Sequence, residues 1–351
     1  MIQRGNRPLL TRRRALLAGG AAVVGAGALA LRACGRTEAP VDDQGRVRLR
    51  FATDARAGAE HGGFYQAVAG GAYEKRGLNV QIVQGGPGVN VPQLLASGAV
   101  ELGLGASSFT PMNLVASGAP VRAVAAFFQK DPRVLIAHAE PAVEDLAALA
   151  QLRGRRFLLA EPQAAGLWVW LKATYGLADD QARVVPDRAA AFLAEPRAVL
   201  EGDLTVDPHA VEQAADFTPQ VFLPADAGYP SYGGLVLAPN AFARDNAGAL
   251  RSFIAASAEG WRDYIRGDPS AADALIRRDN PEMSQALLDQ ARARLRDNAV
   301  VDGGDAALFG LGAMTEERWR AFFEVASRGD VYDTGLNWRD AFTNAYLPGR
   351  G

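Results

Sequence analysis

The sequence predicts an α/β protein of two lobes, each a doubly wound, mostly parallel sheet, joined by hinge crossovers and followed by a helical C-terminal region. Three observations carry that prediction. Short strands with alternating polarity recur between helical segments from residue 47 onward. Two extended segments, near 133–138 and 234–238, interrupt this alternation. Beyond residue 243 the apolar spacing is almost entirely helical.

Val47 to Thr53 alternates and meets Asp54, so it reads as a strand ending in a loop, with a helix expected from His61 to Lys75. Leu78 to Val83 is a second alternating strand. The glycine-rich loop Gly85 to Gly88 then leads into a helix at 91–97. A strand at 100–105, a helix at 109–117 and a strand at 121–128 complete the first set, punctuated by Gly, Pro and Ser. Asp131-Pro132 breaks the pattern and Arg133 to His138 is extended, a crossover to the second set. There, strands are expected at 157–160, 182–185, 204–206 and 221–223, and helices at 167–175 and 189–193. Gly234 to Ala238 returns. Asp268-Pro269 and Asn280-Pro281 mark helix starts within the C-terminal region. The expected division is 1–33 as an export signal, 34–46 as a linker, 47–132 with 239–351 as one lobe, and 133–238 with the crossovers as the other.

The first 36 residues hold seven arginines and no acid, and Arg12-Arg13-Arg14 stands directly before a 17-residue apolar run, Ala15 to Leu31. This is the layout of a twin-arginine export signal. The run is short and glycine-rich for a membrane span. The single cysteine, Cys34, follows it within Leu31-Arg32-Ala33-Cys34-Gly35, resembling a lipoprotein processing site, so a lipid anchor on Cys34 is expected. A buried or reactive thiol is the other reading of that residue. One cysteine allows neither an internal disulfide nor a cysteine-based zinc site, and no metal or cofactor is expected. Taking the six arginines before Cys34 from 37 basic residues leaves 31 against 39 acids, a net charge near −8. That balance disfavours nucleic acid as a partner.

In a doubly wound sheet, ligands sit beyond the carboxyl ends of the strands. Four loops of the first lobe qualify: 53–64, 84–91, 106–109 and 128–131. In the first, Asp54 is an acceptor for ligand N–H groups or a helix cap, and His61 a ligand contact or a partly exposed imidazole. Phe64 and Tyr65 open the helix beside them. Gly86, Gly88 and Asn90 supply free backbone N–H groups near a helix start, although a tight turn also asks for glycine. Ser107 and Ser108 repeat the theme, and Gln129 ends the fourth strand. Trp168 lies on a helix where core packing competes with a ligand wall. Tyr229 and Tyr232, flanking Pro and Gly, are expected to face the cleft and stack on a flat ligand. His61, His138 and His209 form no HExxH or HxH pair, and no Gly-x-Ser-x-Gly elbow occurs.

The segments Thr53-Asp54, His61-Gly62-Gly63-Phe64-Tyr65, Gly85-Gly86-Pro87-Gly88-Val89-Asn90 and Phe128-Gln129-Lys130-Asp131-Pro132 resemble the periplasmic binding proteins of ABC importers for sulfonates, taurine and thiamine pyrimidines. Glu201-Gly202, Thr205 to Pro208 and Asp226 to Gly233 extend the resemblance, which is nearest to the thiamine pyrimidine-precursor branch. It implies a non-catalytic periplasmic binding protein fold that closes on a small nitrogen heterocycle, with ABC permease subunits as partners and the periplasm or cell envelope as location. It also adds Asp207 to the ligand contacts. Ala55 stands where the family usually has tryptophan. A sulfonate or taurine ligand is the alternative, and pyrimidine-synthase-like chemistry the more remote one, because the loop at 105–111 carries no histidine and that at 229–234 no cysteine.

Overall fold

The computed structural model describes residues 39–140, 143–160 and 166–348. The expected export signal at 1–33 and Cys34 lie outside these residues. Ten strands form two five-stranded sheets, and thirteen α-helices are found among the described residues.

The first sheet has the order β2-β1-β3-β10-β4, with β1 Val47–Ala52, β2 Leu78–Val83, β3 Leu102–Ser107, β4 Val121–Phe128 and β10 Gly233–Pro239. β1 pairs in parallel with β2 and β3, and β10 runs antiparallel between β3 and β4. The second sheet repeats the plan as β7-β6-β8-β5-β9: β5 Arg133–Ala137, β6 Arg156–Leu159, β7 Ala182–Val184, β8 Ala198–Asp203, β9 Gln220–Phe222. Its antiparallel member is β5, between β8 and β9. In each sheet, therefore, the odd strand is the one that has just crossed from the other. The chain crosses between β4 and β5, through Gln129 to Pro132, and returns between β9 and β10, so the returning extended segment is a strand inside the first sheet.

Helices α1 Gly62–Ala69, α2 Val91–Ala96 and α3 Phe109–Ala116 follow β1, β2 and β3. The expected helix at 61–75 ends at Ala69, because Gly70-Gly71 interrupts it and Gly71 takes a φ of +68°. α4 Leu146–Gln151, α5 Leu167–Tyr175, α6 Arg188–Ala194 and α7 Asp207–Ala214 serve the second sheet. The strand expected at 204–206 is instead β8 at Ala198–Asp203, and residues 204–206 form the turn into α7. The C-terminal helices are α8 Asn240–Asp245, α9 Ala247–Arg266, α10 Ser270–Asp279, α11 Gln285–Asp297, α12 Gly304–Phe309 and α13 Glu316–Arg328. Residues 329–348 hold a short 3-10 turn and a single bridge from Phe342 to Ala123 of β4 but no α-helix, so helix stops earlier than the spacing suggests.

Side-chain oxygens start five of these helices. Asn90, Asp145, Asp187, Ser284 and Thr315 each accept a first-turn backbone N–H, satisfying a donor the helix itself leaves unpaired. One apolar cluster runs from Phe51 of the first sheet, with Phe64 of α1 and Phe253 and Trp261 of α9, through to Val134, Ile136 and Leu200 on the second. α1 and α9 meet through glycine: a Cβ at Gly63 would lie 2.2 Å from the Trp261 ring, and one at Gly260 would lie 2.2 Å from the Gly63 carbonyl oxygen. Backbones can approach this closely only without side chains.

Candidate functional site

Where the two sheets face each other, a cavity of about 250 Å³ is lined from every side of the crossing. The first sheet contributes Ser107, Phe109, Thr110 and Asn113 from the end of β3 and the first turns of α3. The crossover contributes Asp131 and Arg133, the start of α5 Gly166 and Leu167, and the return Tyr229. This is where a doubly wound sheet exposes ligands, beyond the strand ends. Phe109 packs on Phe322 at 4.6 Å between ring centroids and lies against Gly166, where a Cβ would come within 2.5 Å of it. Tyr229 rests on Trp170 at 5.2 Å. Two aromatic walls thus come from opposite sides of the crossing. A larger hollow of about 600 Å³ lies at the open edge of β2, lined by Tyr65, Asn79, Gln81 and Arg278, and touches neither crossing.

The floor of the crossing is ionic. Buried Glu201 accepts from Arg188 at 2.6 Å and from Arg133 at 3.4 Å, and its Oε2 also takes the Ala160 backbone N–H at 3.1 Å. Burial works against the Arg133 charge, but Asp203, Asp131, Glu201 and Asp207 around it hold its proton more firmly than usual. Burial raises the carboxyls of Asp131, Glu201 and Asp207 above the ordinary carboxylate range, with the arginines pulling the other way. At the first-sheet end, fully buried His61 directs Nε2 at Asp54 Oδ1 (3.0 Å), while Nδ1 lies 3.8 Å from Glu60 Oε1. Burial disfavours the imidazolium, yet the Asp54 bond and the Glu60 charge shift its pKa up on balance. Burial also raises Glu60, and Asp203 of the second sheet repels it. Six carboxylates therefore share two guanidiniums and one imidazole. Among the described residues no group of three or more His, Cys, Asp or Glu is placed to hold a metal ion, and no helix is long and apolar enough to cross a membrane.

Residues 58–272 match the family described as NMT1/THI5-like. The chain belongs to the NMT1/THI5-like family. No curated protein matches it. Among solved structures it is similar to the periplasmic aliphatic sulphonate binding protein SsuA from Escherichia coli, with a TM-score of 0.64 and 15% identity over 84% of this chain and 91% of that one. The zinc-bound ligand-binding component of an ABC-type import system from Staphylococcus aureus gives 0.61 and 8%, over 85% and 97%. The desulfurization enzyme DSZB gives 0.52 and 11%, over 86% and 97%. These likenesses establish the fold, the two-lobe periplasmic binding protein fold.

In this NMT1/THI5-like chain the residues singled out from sequence separate into three groups. Ser107 and Tyr229 line the cavity. Asp54, His61 and Asp207 belong to the ionic floor, where the Asp207 carboxylate accepts the Asp203 backbone N–H at 2.6 Å. Asp54 caps no helix: its carboxylate meets the His61 ring, and the turn and helix that follow have no side-chain cap. His61 is fully buried, not the partly exposed imidazole of the other reading. The rest are structural. Phe64 sits in the core against Phe51 at 4.6 Å, and the Tyr65 hydroxyl donates to Asp279 at 3.0 Å. Gly86 and Gly88 turn the loop with φ of +143° and +83°, and Asn90 caps α2. Ser108 Oγ accepts the Tyr232 backbone N–H at 2.9 Å. Gln129 donates to the Ala126 and Ala313 carbonyls, and Trp168 Nε1 donates to Asp179. The Tyr232 ring turns away from the cavity, its hydroxyl bonded to Asp305. Sequence reasoning missed Thr110, Asn113, Arg133, Gly166, Leu167 and Val331 as cavity residues and reached Phe109 and Asp131 only as ends of candidate loops. Thr110 and Asn113 are three apart on α3, a spacing that puts them on one face; Val331 arrives from the C-terminal tail with no local signal.

Proposed function

We propose that the chain is the solute-binding component of an ABC importer, capturing a small nitrogen heterocycle such as a thiamine pyrimidine precursor and delivering it to the permease without chemical change. The observation that carries this reading is the 250 Å³ cavity walled by both sheets and both connections, so that a ligand there bridges the lobes. Its size suits one ring with small substituents, and Phe109 and Tyr229 offer aromatic faces to a flat molecule. Asp131 offers acceptors for amino or amide N–H groups. Arg133 offers donors for a ring nitrogen or carbonyl.

A sulfonate or taurine ligand is the second reading, favoured by Arg133 and by the fold shared with a sulphonate binding protein. The charge balance weighs against it. Arg133 is already ringed by four carboxylates, so a sulfonate would meet a largely neutralised guanidinium beside the Asp131 carboxylate. In the cell we place the mature protein in the periplasm or cell envelope, exported by the twin-arginine segment and held by lipid on Cys34. The lobes are proposed as residues 47–132 with 239–351, and 133–238 with the crossovers.

Calorimetric titration of the purified protein tests the ligand class directly, using 4-amino-5-hydroxymethyl-2-methylpyrimidine, its formylamino analogue, taurine and ethanesulfonate. Binding of the pyrimidines alone is expected. Binding of ethanesulfonate alone would overturn the heterocycle reading, and turnover of a bound pyrimidine would replace the binding protein with an enzyme.

A further inference from the structure

Gln129 and Tyr232 stand at the ends of β4 and β10, where ligand contacts are expected, yet both are engaged by one stretch of the C-terminal region. On the outward connection, the Gln129 backbone N–H donates to the Val300 carbonyl at 2.7 Å and its side chain to the Ala313 carbonyl at 3.0 Å. Gly304 packs on the same side chain, 3.3 Å separating a would-be Cβ from that of Gln129. On the return connection, Arg318 Nε donates to the Pro230 carbonyl at 3.1 Å and Nη2 to that of Ser231 at 2.7 Å. The same guanidinium lies 4.0 Å over the Tyr232 ring. The Tyr232 hydroxyl accepts the Thr315 backbone N–H at 2.8 Å and donates to Asp305.

The stretch from Val300 to Arg318 thus holds both connections, and it holds each at the end next to the first sheet. Among the described residues none of its hydrogen bonds reaches Asp131 or Tyr229. Those two residues line the cavity. Bonds from a charged, largely desolvated donor resist breaking more than neutral ones, and the ring contact adds to them. The part of each connection that this stretch does not hydrogen-bond directly is therefore the part that carries a cavity wall.

We propose that Val300 to Arg318 is a clamp on the two connections, with Arg318 its positioning residue, which confines lobe opening to the stretches bearing Asp131 and Tyr229. Opening then moves two walls of the cavity directly. The inference rests on the solute-binding reading for its purpose only.

The test uses ligand-free full-length protein, so its outcome is independent of which solute binds. Spin labels are placed by Lys75→Cys on the first lobe and Arg183→Cys on the second, with Cys34→Ser, and the inter-label distances are measured by pulsed dipolar spectroscopy. Hydrogen exchange is followed at the Tyr232 amide. Arg318→Gln is expected to add a longer inter-label distance and to speed Tyr232 exchange by on the order of tenfold. Arg318→Lys, which keeps the charge but not the planar fork, should recover part of both effects. Arg292→Gln, which removes the ion pair from α11 to Asp273 of α10, away from the clamp, should lower the melting temperature without either effect. Indistinguishable distances and exchange in the Arg318→Gln and Arg292→Gln proteins would overturn the proposal. Should Arg318→Gln fail to fold, Tyr232→Phe decides: it keeps the ring under the guanidinium but drops the bonds to Thr315 and Asp305. It must show the same two changes in smaller measure, and their absence overturns the clamp.

Discussion

Replacing Asp54 by alanine should lower stability in a way that depends on pH. The His61 ring is fully buried, and its one side-chain hydrogen bond among the described residues is Nε2 to Asp54 Oδ1 at 3.0 Å. Losing a bond to a charged group and stranding its buried partner costs about 1.5–3 kcal/mol, and partial exposure of Asp54 argues for the lower half. At roughly 2 °C per kcal/mol for a chain of this size, the melting temperature should fall by about 3–4 °C near pH 6. His61 binds its proton more firmly in the native state than in the unfolded chain. Its stabilising share is therefore complete below its ordinary value near 6.5 and disappears as pH rises through the higher native value. The gap between wild type and Asp54→Ala should be widest near pH 6 and shrink as pH increases. Paired melting curves from pH 5.5 to 9 check this. A helix cap would give a gap that does not move with pH, and such a constant gap would refute the imidazolium account.

Four further outcomes follow from the same geometry. Arg133→Gln should weaken pyrimidine binding by roughly 10- to 100-fold in calorimetry, since the cavity loses its guanidinium, and should also lower the melting temperature, since buried Glu201 loses one of its two arginines. Gly63→Ala drives a methyl into the Trp261 ring and should cost about 1–3 kcal/mol, read as a lower urea midpoint at unchanged slope. Glu212 of α7 accepts from Arg294 at 2.9 Å and Gln290 at 3.1 Å on α11, so Glu212→Ala should speed ligand release by up to about fivefold in stopped flow. Glu60, Asp131, Glu201, Asp207 and His61 all hold protons more firmly than usual, so the melting temperature should fall between pH 5 and 8; a rise over that window would contradict the buried acidic floor.

Much of the fold was legible because half-buried strands leave a period of two and helices one of 3.6. Val47–Ala52, Leu78–Val83 and Val121–Phe128 were found within a residue of their ends. β8 was misplaced because it carries Glu201 and Gly202 in the middle of an apolar run, and polarity there reads as a turn. Glu201 can lie inside a strand only because Arg188 and Arg133 reach it, and both come from elsewhere in the chain. α4 is almost uniformly apolar and α7 mostly polar or small, so neither shows the alternation of faces that marks a helix.

The site was harder to read for a reason particular to this architecture. Sequence points to the ends of strands, and the cavity is there, but it does not say whether a residue at a strand end faces the gap or the neighbouring layer. Ser107 and Ser108 differ by one position; the first lines the cavity and the second ties β3 to the return connection. Tyr229 and Tyr232 divide in the same way, one on the cavity and one beneath Arg318. The pair His61 and Gly62-Gly63 looked like a recognition loop, yet the glycines serve the contact of α1 with α9, and the histidine gathers two carboxylates. For the serines, tyrosines and glycines the deciding partner lies roughly seventy to two hundred residues away, whereas His61 takes Asp54 and Glu60 from its own loop. Chemistry-bearing residues at a lobe junction are pulled equally toward ligand and hinge, and only the placement of the C-terminal helices assigns them.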